Sequence, residues 1–254
     1  YRNLKKYLKK SDDDLFIVML PETTNILLSL RSRIKVPIIV SERGNPVARY
    51  KDSWIKTILM RRLYPHANAF VFQTEEAKNY YISKGISVES TIIPNAINES
   101  FIVSGYNEEK ERKIVAVGSL TSVKNFPLLI NAFEKISKKH SDYTLEIFGE
   151  GAKRKELQGI IEKLGLSKRV SMPGYVRNIG DYIRNATLFV LSSNYEGMPN
   201  ALMEAMALGL PCVSTDCPCG GPKYLIQDGE NGLLVPVGDC YKLAAAMDKM
   251  LSNP

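Results

Sequence analysis

Asn194-Tyr195-Glu196-Gly197-Met198-Pro199-Asn200-Ala201-Leu202-Met203-Glu204-Ala205 is the stretch on which the reading of this chain turns. It follows an apolar run, Leu188 to Leu191, closed by Ser192 and Ser193, which reads as a buried strand. Gly197 and Pro199 break any helix across the first half of the stretch. Pro199 suits a first helical position, Ala201 to Leu208 are strong helix formers, and Gly209-Leu210-Pro211 stops the helix. Glu196 is therefore placed in a strand-to-helix loop and Glu204 on the helix that follows. The first amides of a helix lack intrahelical partners and carry partial positive charge, so an anion, most simply a phosphate, is the expected guest. Two carboxylates cannot neutralise that anion; they are suited to accept hydrogen bonds from hydroxyls. Phosphate together with many hydroxyls describes a sugar nucleotide. The spacing alone fits equally well a strand, a turn and a helix with two solvated glutamates.

Outward from this stretch, the second half reads as six strand–helix units. Strands are predicted at 113–118, 144–148, 169–172, 188–192, 211–214 and 233–235, and helices at 125–139, 152–164, 178–185, 199–208, 221–227 and 239–251. Such alternation implies a parallel sheet with helices on both faces and a ligand at the carboxyl ends of the strands. The first half alternates too. Strands are predicted at 14–20, 36–40, 69–72 and 91–93, helices at 23–31, 52–63 and 74–84, with Thr74 as a cap and Gly85 as a stop. Pro37 argues for an edge or strand-start position. Four strands are fewer than a full nucleotide-binding domain uses. The polar, aperiodic run from Ser104 to Arg112 reads as a linker, giving domains at 1–108 and 109–254.

Composition bounds the classes. The chain has 254 residues, 44% of them hydrophobic, enough for two cores. Its net charge is +7, with +5 in residues 1–110 and +2 in the remainder. A basic face suits phosphorylated substrates, anionic lipid or nucleic acid, but no nucleic-acid motif is present and nucleic acid is not an expected partner. No run of apolar residues is long enough to cross a bilayer. The opening Tyr-Arg-Asn-Leu-Lys-Lys is neither a Met start nor a secretory leader. The chain is accordingly read as a piece of a longer, cytoplasmic protein, with peripheral contact with the inner membrane face left open. Cys212, Cys217, Cys219 and Cys240 lack the recurring paired spacing of a zinc site, so free thiols are expected and no metal.

Glu196 and Glu204 stand in an E-x7-E pattern, and the stretch around them resembles the retaining glycosyltransferases of the GT-B fold, family 4. The likeness continues through Leu210-Pro-Cys-Val-Ser-Thr-Asp216 and Gly229-Glu-Asn-Gly-Leu-Leu-Val-Pro236. It implies an α/β fold of two Rossmann-like domains facing a cleft, the first incomplete here. It implies transfer of a sugar from a nucleotide diphosphate donor, UDP with an N-acetylhexosamine being the nearest match, to a polysaccharide or lipid-linked glycan. No cofactor or metal is implied. In the family the first glutamate faces the donor sugar, the second holds the ribose hydroxyls, and loop amides, here Gly197, Met198, Pro199, Asn200 and Ala201, surround the diphosphate. Gly118 and Lys124 match the family's Gly and Lys, but Ser119 stands where an arginine is usual. A missing guanidinium removes a bidentate phosphate clamp, for which Arg43 is a candidate replacement. Gly149 resembles the family's turn beneath the donor. Tyr175 and Val176 resemble the segment beside the base; core packing is the alternative for Tyr175.

On the acceptor side the resemblance places Glu42 and Arg43, where relatives carry a histidine segment; a salt bridge to a neighbouring helix is the plainer reading of Glu42. His140 is expected to be exposed and His66 to lie on a surface loop. Helix 52–63 gathers Trp54, Ile55, Ile58, Leu59 and Leu63 among Lys51, Lys56, Arg61 and Arg62. Such a helix can lie on a membrane, although packing on its own sheet is the commoner fate. The rival readings are a non-catalytic nucleotide-sugar-binding module, which Ser119 and Tyr224 favour, and other GT-B chemistry such as epimerisation or phosphorolysis. Because the start of the first domain and the family's last crossing helix are not found, weak turnover is expected of these residues alone, which a sugar-transfer assay checks.

Overall fold

The computed structural model describes Leu4, Tyr7, residues 12–102 and residues 110–252. The chain divides into two compact units, Tyr1–Asn95 and Ala96–Pro254.

The first unit is built on four parallel strands in the order β1-β2-β3-β4: β1 Phe16–Val18, β2 Ile38–Glu42, β3 Ala69–Phe72 and β4 Ser90–Ile92. Ile39 pairs with Ala69 and Phe70 with Ser90. β2 is an interior strand, so Pro37 is not on an edge. It stands just before the first paired residue, and its carbonyl accepts the Phe16 amide at 3.0 Å. Helices α1 (Pro21–Ser29), α2 (Pro46–Tyr50), α3 (Trp54–Leu63) and α4 (Glu75–Ser83) join the strands. Helix α2 is not among the predicted elements, yet its signal is present. Pro46 opens it, and Asn45 caps it by accepting the Ala48 amide at 3.0 Å. Thr74 caps α4 through Ala77, and Gly85, at φ +80°, follows its end. The core is aromatic: Tyr64, Phe70, Phe72 and Tyr81 form a chain of ring contacts at centroid distances of 5.4–5.9 Å.

Helix α3 corrects an expectation. Only Met60 of this helix is buried. Trp54 is 73% exposed, Ile55 61%, Ile58 48% and Leu59 41%. The side that packs inward is the narrow one around Met60, and the wide apolar side faces outward.

The second unit carries six parallel strands in the order β10-β9-β8-β5-β6-β7. They are β5 Glu111–Val117, β6 Thr144–Phe148, β7 Val170–Gly174, β8 Ala186–Leu191, β9 Cys212–Thr215 and β10 Leu233–Val235. The connecting helices are α5 Phe126–Ser137, α6 Arg154–Lys163, α7 Ile179–Ile183, α8 Asn200–Ala207, α9 Gly221–Leu225 and α10 Cys240–Ser252. Alternation along the central strands builds two cores. Ile114, Ala116, Leu188 and Val190 pack with Phe133, Leu157 and Met247 of α5, α6 and α10. Val115, Phe189 and Leu191 pack on the other face with Ile183, Leu202 and Ala205 of α7 and α8. This is a doubly wound sheet whose strand order reverses between β5 and β8, which places a ligand crevice at their carboxyl ends.

Residues 96–102 pack with this second unit rather than the first. Phe101 joins the α7–α8 core and lies against Gly180. Of the expected linker, residues 104–109 lie outside the described residues, while Glu111 and Arg112 open β5. His140 is buried, not exposed, because α10 brings Asp248 to its Nε2 at 2.7 Å and Tyr143 meets its ring edge-on. Leu188, fully buried on a central strand, is a test of this core. Leu188→Ala is expected to lower unfolding free energy by about 2–5 kcal/mol, measured by denaturant titration.

Candidate functional site

The reversal between β5 and β8 leaves two loops side by side, 118–125 and 192–199. Their polar atoms satisfy one another. The Asn194 amide donates to the Val123 carbonyl at 2.8 Å, and the Asn194 side chain donates to the Ser122 carbonyl at 2.9 Å. Ser192 Oγ donates to the Lys124 carbonyl at 2.8 Å, and Asn125 Nδ2 donates to Asn194 Oδ1 at 3.0 Å. Asn125 holds a left-handed backbone, φ +45°, at the turn into α5.

Lys124 and Glu196 meet across these loops, Nζ to Oε1 at 2.7 Å, with side chains 17% and 13% exposed. The same Oε1 accepts the Ser193 hydroxyl at 2.6 Å. Lys124 lies across Gly118, where a Cβ would stand 2.8 Å from its Cε, so only glycine lets the lysine take this path. Glu196 is also fixed by its backbone, donating to Pro218 and accepting from Cys219, both at 2.8 Å. A Cβ on Gly221 would stand 1.9 Å from the Gly197 carbonyl, so the start of α9 presses directly on this loop.

Helix α8 opens at Asn200. Pro199 is its N-cap in extended conformation rather than its first helical residue, and no side-chain hydrogen bond caps this end. Ala201 and Glu204 are half-buried on the helix, and Met198 is buried before it. Burial raises the Glu204 carboxyl above the ordinary glutamate value. Among the described residues, no hydrogen bond or ion pair to the Glu204 carboxylate is present.

Beside this pair lies a cavity of about 860 Å³, within the range of small-molecule sites. Gly118, Ser119, Gly149, Tyr175 and Val176 line it. Gly149 is held at φ +135°, and a Cβ there would stand 2.0 Å from the Gly118 carbonyl oxygen. Tyr175 is 77% exposed at the cavity, which sets aside core packing for its ring; Val176 is half-buried there. The cavity also uses residues that the sequence reading missed, namely Asn98, Phe101, Asn178, Asp181 and Arg184. Asn178 carried a readable signal, as a left-handed residue at the start of a short helix after β7. Asn98 and Phe101 carried none, since they were assigned to the other domain. Arg184 is paired with Asp181 at 2.6 Å.

The predicted donor residues thus form two groups that share Gly118: the cavity wall, and the Lys124–Glu196 pair with α8 beyond it. In the first unit, Glu42 ends β2 and is buried. Its carboxylate pairs with Arg49 at 2.6 Å, accepts the Gly44 amide at 2.9 Å and accepts the Tyr81 hydroxyl. The salt bridge to a neighbouring helix is therefore real. Burial works to lower the Arg49 pKa, but Glu42 more than offsets it and holds the guanidinium charged. Arg43 is exposed and donates to Asn95 Oδ1, which also accepts from Gln73. Cys212, Cys217 and Cys219 are buried free thiols; burial pushes Cys217 up to about 12, so it stays protonated.

The doubly wound sheet, with the Lys124–Glu196 pair at its switch point, places this chain in the class of α/β proteins that hold a ligand at the carboxyl ends of their strands. Residues 98–254 match the model of the family described as glycosyl transferases group 1, and the chain belongs to that family. An uncharacterised glycosyltransferase of Methanocaldococcus jannaschii is 30% identical over 201 residues, covering 73% of this chain and 50% of that protein. A Campylobacter jejuni α-1,4-N-acetyl-D-galactosaminyltransferase, whose name gives a diphospho-undecaprenol-linked glycan as its acceptor, is 28% identical over 98% of this chain and 68% of its own length. The chain thus spans from about half to about two thirds of these relatives. Among solved structures, Anabaena HepE in complex with UDP matches at TM-score 0.85 and 17% identity, over 99% of this chain and 72% of HepE. S. aureus TarM, solved with UDP among its ligands, matches at TM-score 0.84 and 20% identity, over 99% of this chain and 51% of TarM. The fold is that of the GT-B glycosyltransferases.

The Glu204 shift carries a stability prediction. A carboxyl whose folded value is raised favours the native state most at low pH, and loses that contribution as pH rises through the folded value. At neutral pH its ionised form is a net cost. Glu204→Gln is therefore expected to raise the melting temperature of the ligand-free protein at pH 7. The gain should shrink as pH falls toward and below the ordinary glutamate value of about 4.3, as thermal scans across pH would show.

Proposed function

We propose that this chain carries the donor site of a retaining glycosyltransferase that moves a sugar from a nucleotide diphosphate to a glycan acceptor. The observation that carries this reading is the Lys124–Glu196 pair lying over Gly118, at the switch point beside the cavity. In the proposed complex the nucleoside occupies the cavity, with the base near Tyr175 and Val176. The diphosphate rests near Lys124, Ser119 and the backbone from Gly197 to Ala201, at the start of α8. Glu204 accepts the ribose hydroxyls; relief of an unpartnered, half-buried carboxylate is part of the binding energy. Glu196, released from part of its contact with Lys124, accepts hydroxyls of the sugar.

The chemistry follows from charge. As the sugar leaves, negative charge grows on the diphosphate. Lys124 and the helix start meet that charge with positive potential already in place, which lowers the barrier without reorganisation. The leaving phosphate takes the acceptor proton on the same face, so configuration is retained. With this positive potential supplied by the chain, no metal or other cofactor is required. UDP as carrier and an N-acetylhexosamine as sugar are supported by the relatives' names and by UDP in the neighbouring structures. A lipid-linked or polysaccharide acceptor is supported the same way. It falls to the first unit, where Arg43 is exposed and Glu42 holds the turn beside it. An acceptor anchored in a lipid bilayer brings the enzyme to the inner membrane face.

Calorimetric titration with UDP tests the site. Binding is expected, and Lys124→Ala should weaken it about ten- to hundred-fold, the loss of one charge-assisted contact. A labelled-sugar transfer assay on the full gene product should show turnover that chelators leave unchanged. UDP binding without transfer to any glycan acceptor would establish the binding-module reading instead. An absence of UDP binding would overturn both.

A further inference from the structure

Helix α3 presents outward the face that a helix ordinarily buries. At 100° per residue, Trp54, Ile58, Ile55 and Leu59 fall within an arc of about 140°, and all four are exposed. Arg62 lies inside the same arc, Arg61 borders one edge, and Lys56 lies beyond the other; all are exposed, as is Lys51 just before the helix. The helix, WIKTILMRRL, contains no acidic residue. Opposite the arc, Met60 anchors it to the first unit at 1% exposure, with Ser53 capping its start and Tyr64 buried at its end. It is a firmly seated helix with a free, basic, apolar side.

We propose that this side of α3 docks on an anionic lipid surface. Charge separates this occupant from a protein partner. A second exposed apolar group surrounds β1, with Ile17 at 59%, Met19 at 58% and Leu20 at 64%. That group follows Asp12, Asp13 and Asp14, and nothing in the structure says what covers it. The α3 face, by contrast, combines aromatic and branched side chains with guanidinium and ammonium groups. The apolar side chains can enter the boundary between headgroups and acyl chains, where an indole is favoured. Lysine and arginine stems then carry their charges to the phosphates. No helix among the described residues is long and apolar enough to cross a membrane, so α3 lies on the surface. The benefit rests on the proposed lipid-linked acceptor; the docking surface itself does not.

Flotation of the full gene product with phosphatidylglycerol-containing vesicles tests the assignment. Binding is expected, with at least about ten-fold less on phosphatidylcholine vesicles. Ile55→Ser with Ile58→Ser, and separately Arg61→Glu with Arg62→Glu, should each reduce binding about ten-fold or more. UDP affinity should stay unchanged. The charge pair decides the matter if the serine pair fails to fold. Equal binding to both vesicle types, binding insensitive to both pairs, or no binding would overturn the proposal. Loss of UDP binding with flotation intact would sink the donor reading and leave this one standing.

Discussion

The candidate site depends on one constraint, the mutual satisfaction of two loops at the point where the sheet changes direction. β5 and β8 are neighbours whose helices leave to opposite faces, so their carboxyl ends open a gap filled with polar backbone. A gap of that kind is costly unless each donor and acceptor has a partner. Here Asn194 and Ser192 close the backbone of residues 122–124, and the Lys124–Glu196 ion pair closes the charges. Both ionic groups are largely shielded, so either one alone would be a liability. Together they form a rigid element that an incoming anion and its hydroxyls can take over, exchanging one set of hydrogen bonds for another.

Much of the second unit was legible because its periodicities are strong. All six strands and six helices fall within a few residues of their predicted ranges, since buried apolar runs alternate with glycine stops. Lys124 and Glu196 were legible as site residues, but their contact was not. They are 72 residues apart, and only the strand order brings them together. The cavity wall was legible where it follows β5, β6 and β7. It was hidden at Asn98 and Phe101, which precede β5 and pack backwards onto α7 and α8.

What the sequence left open or hid shares a cause. Burial of a single residue depends on what another element brings to it, which no local pattern contains. His140 is covered by Asp248 and Tyr143 from elsewhere in the fold. Tyr175 stands uncovered on its loop. Glu42 was read at the end of a strand; its burial follows from Arg49 and Tyr81 converging on it from two helices. The outward face of α3 has the same composition as an inward one, and only the packing around Met60 on the opposite side shows which way it turns.

The glycines at the candidate site have a consequence for how such a site can diversify. Gly149 against the Gly118 carbonyl, and Gly221 against the Gly197 carbonyl, are contacts of main chain upon main chain. They are indifferent to the identity of neighbouring side chains and intolerant of any added carbon. The floor of the candidate site is thereby a fixed casting. Variation is left to projecting groups such as Ser119 and Tyr175, which can change without disturbing the mould.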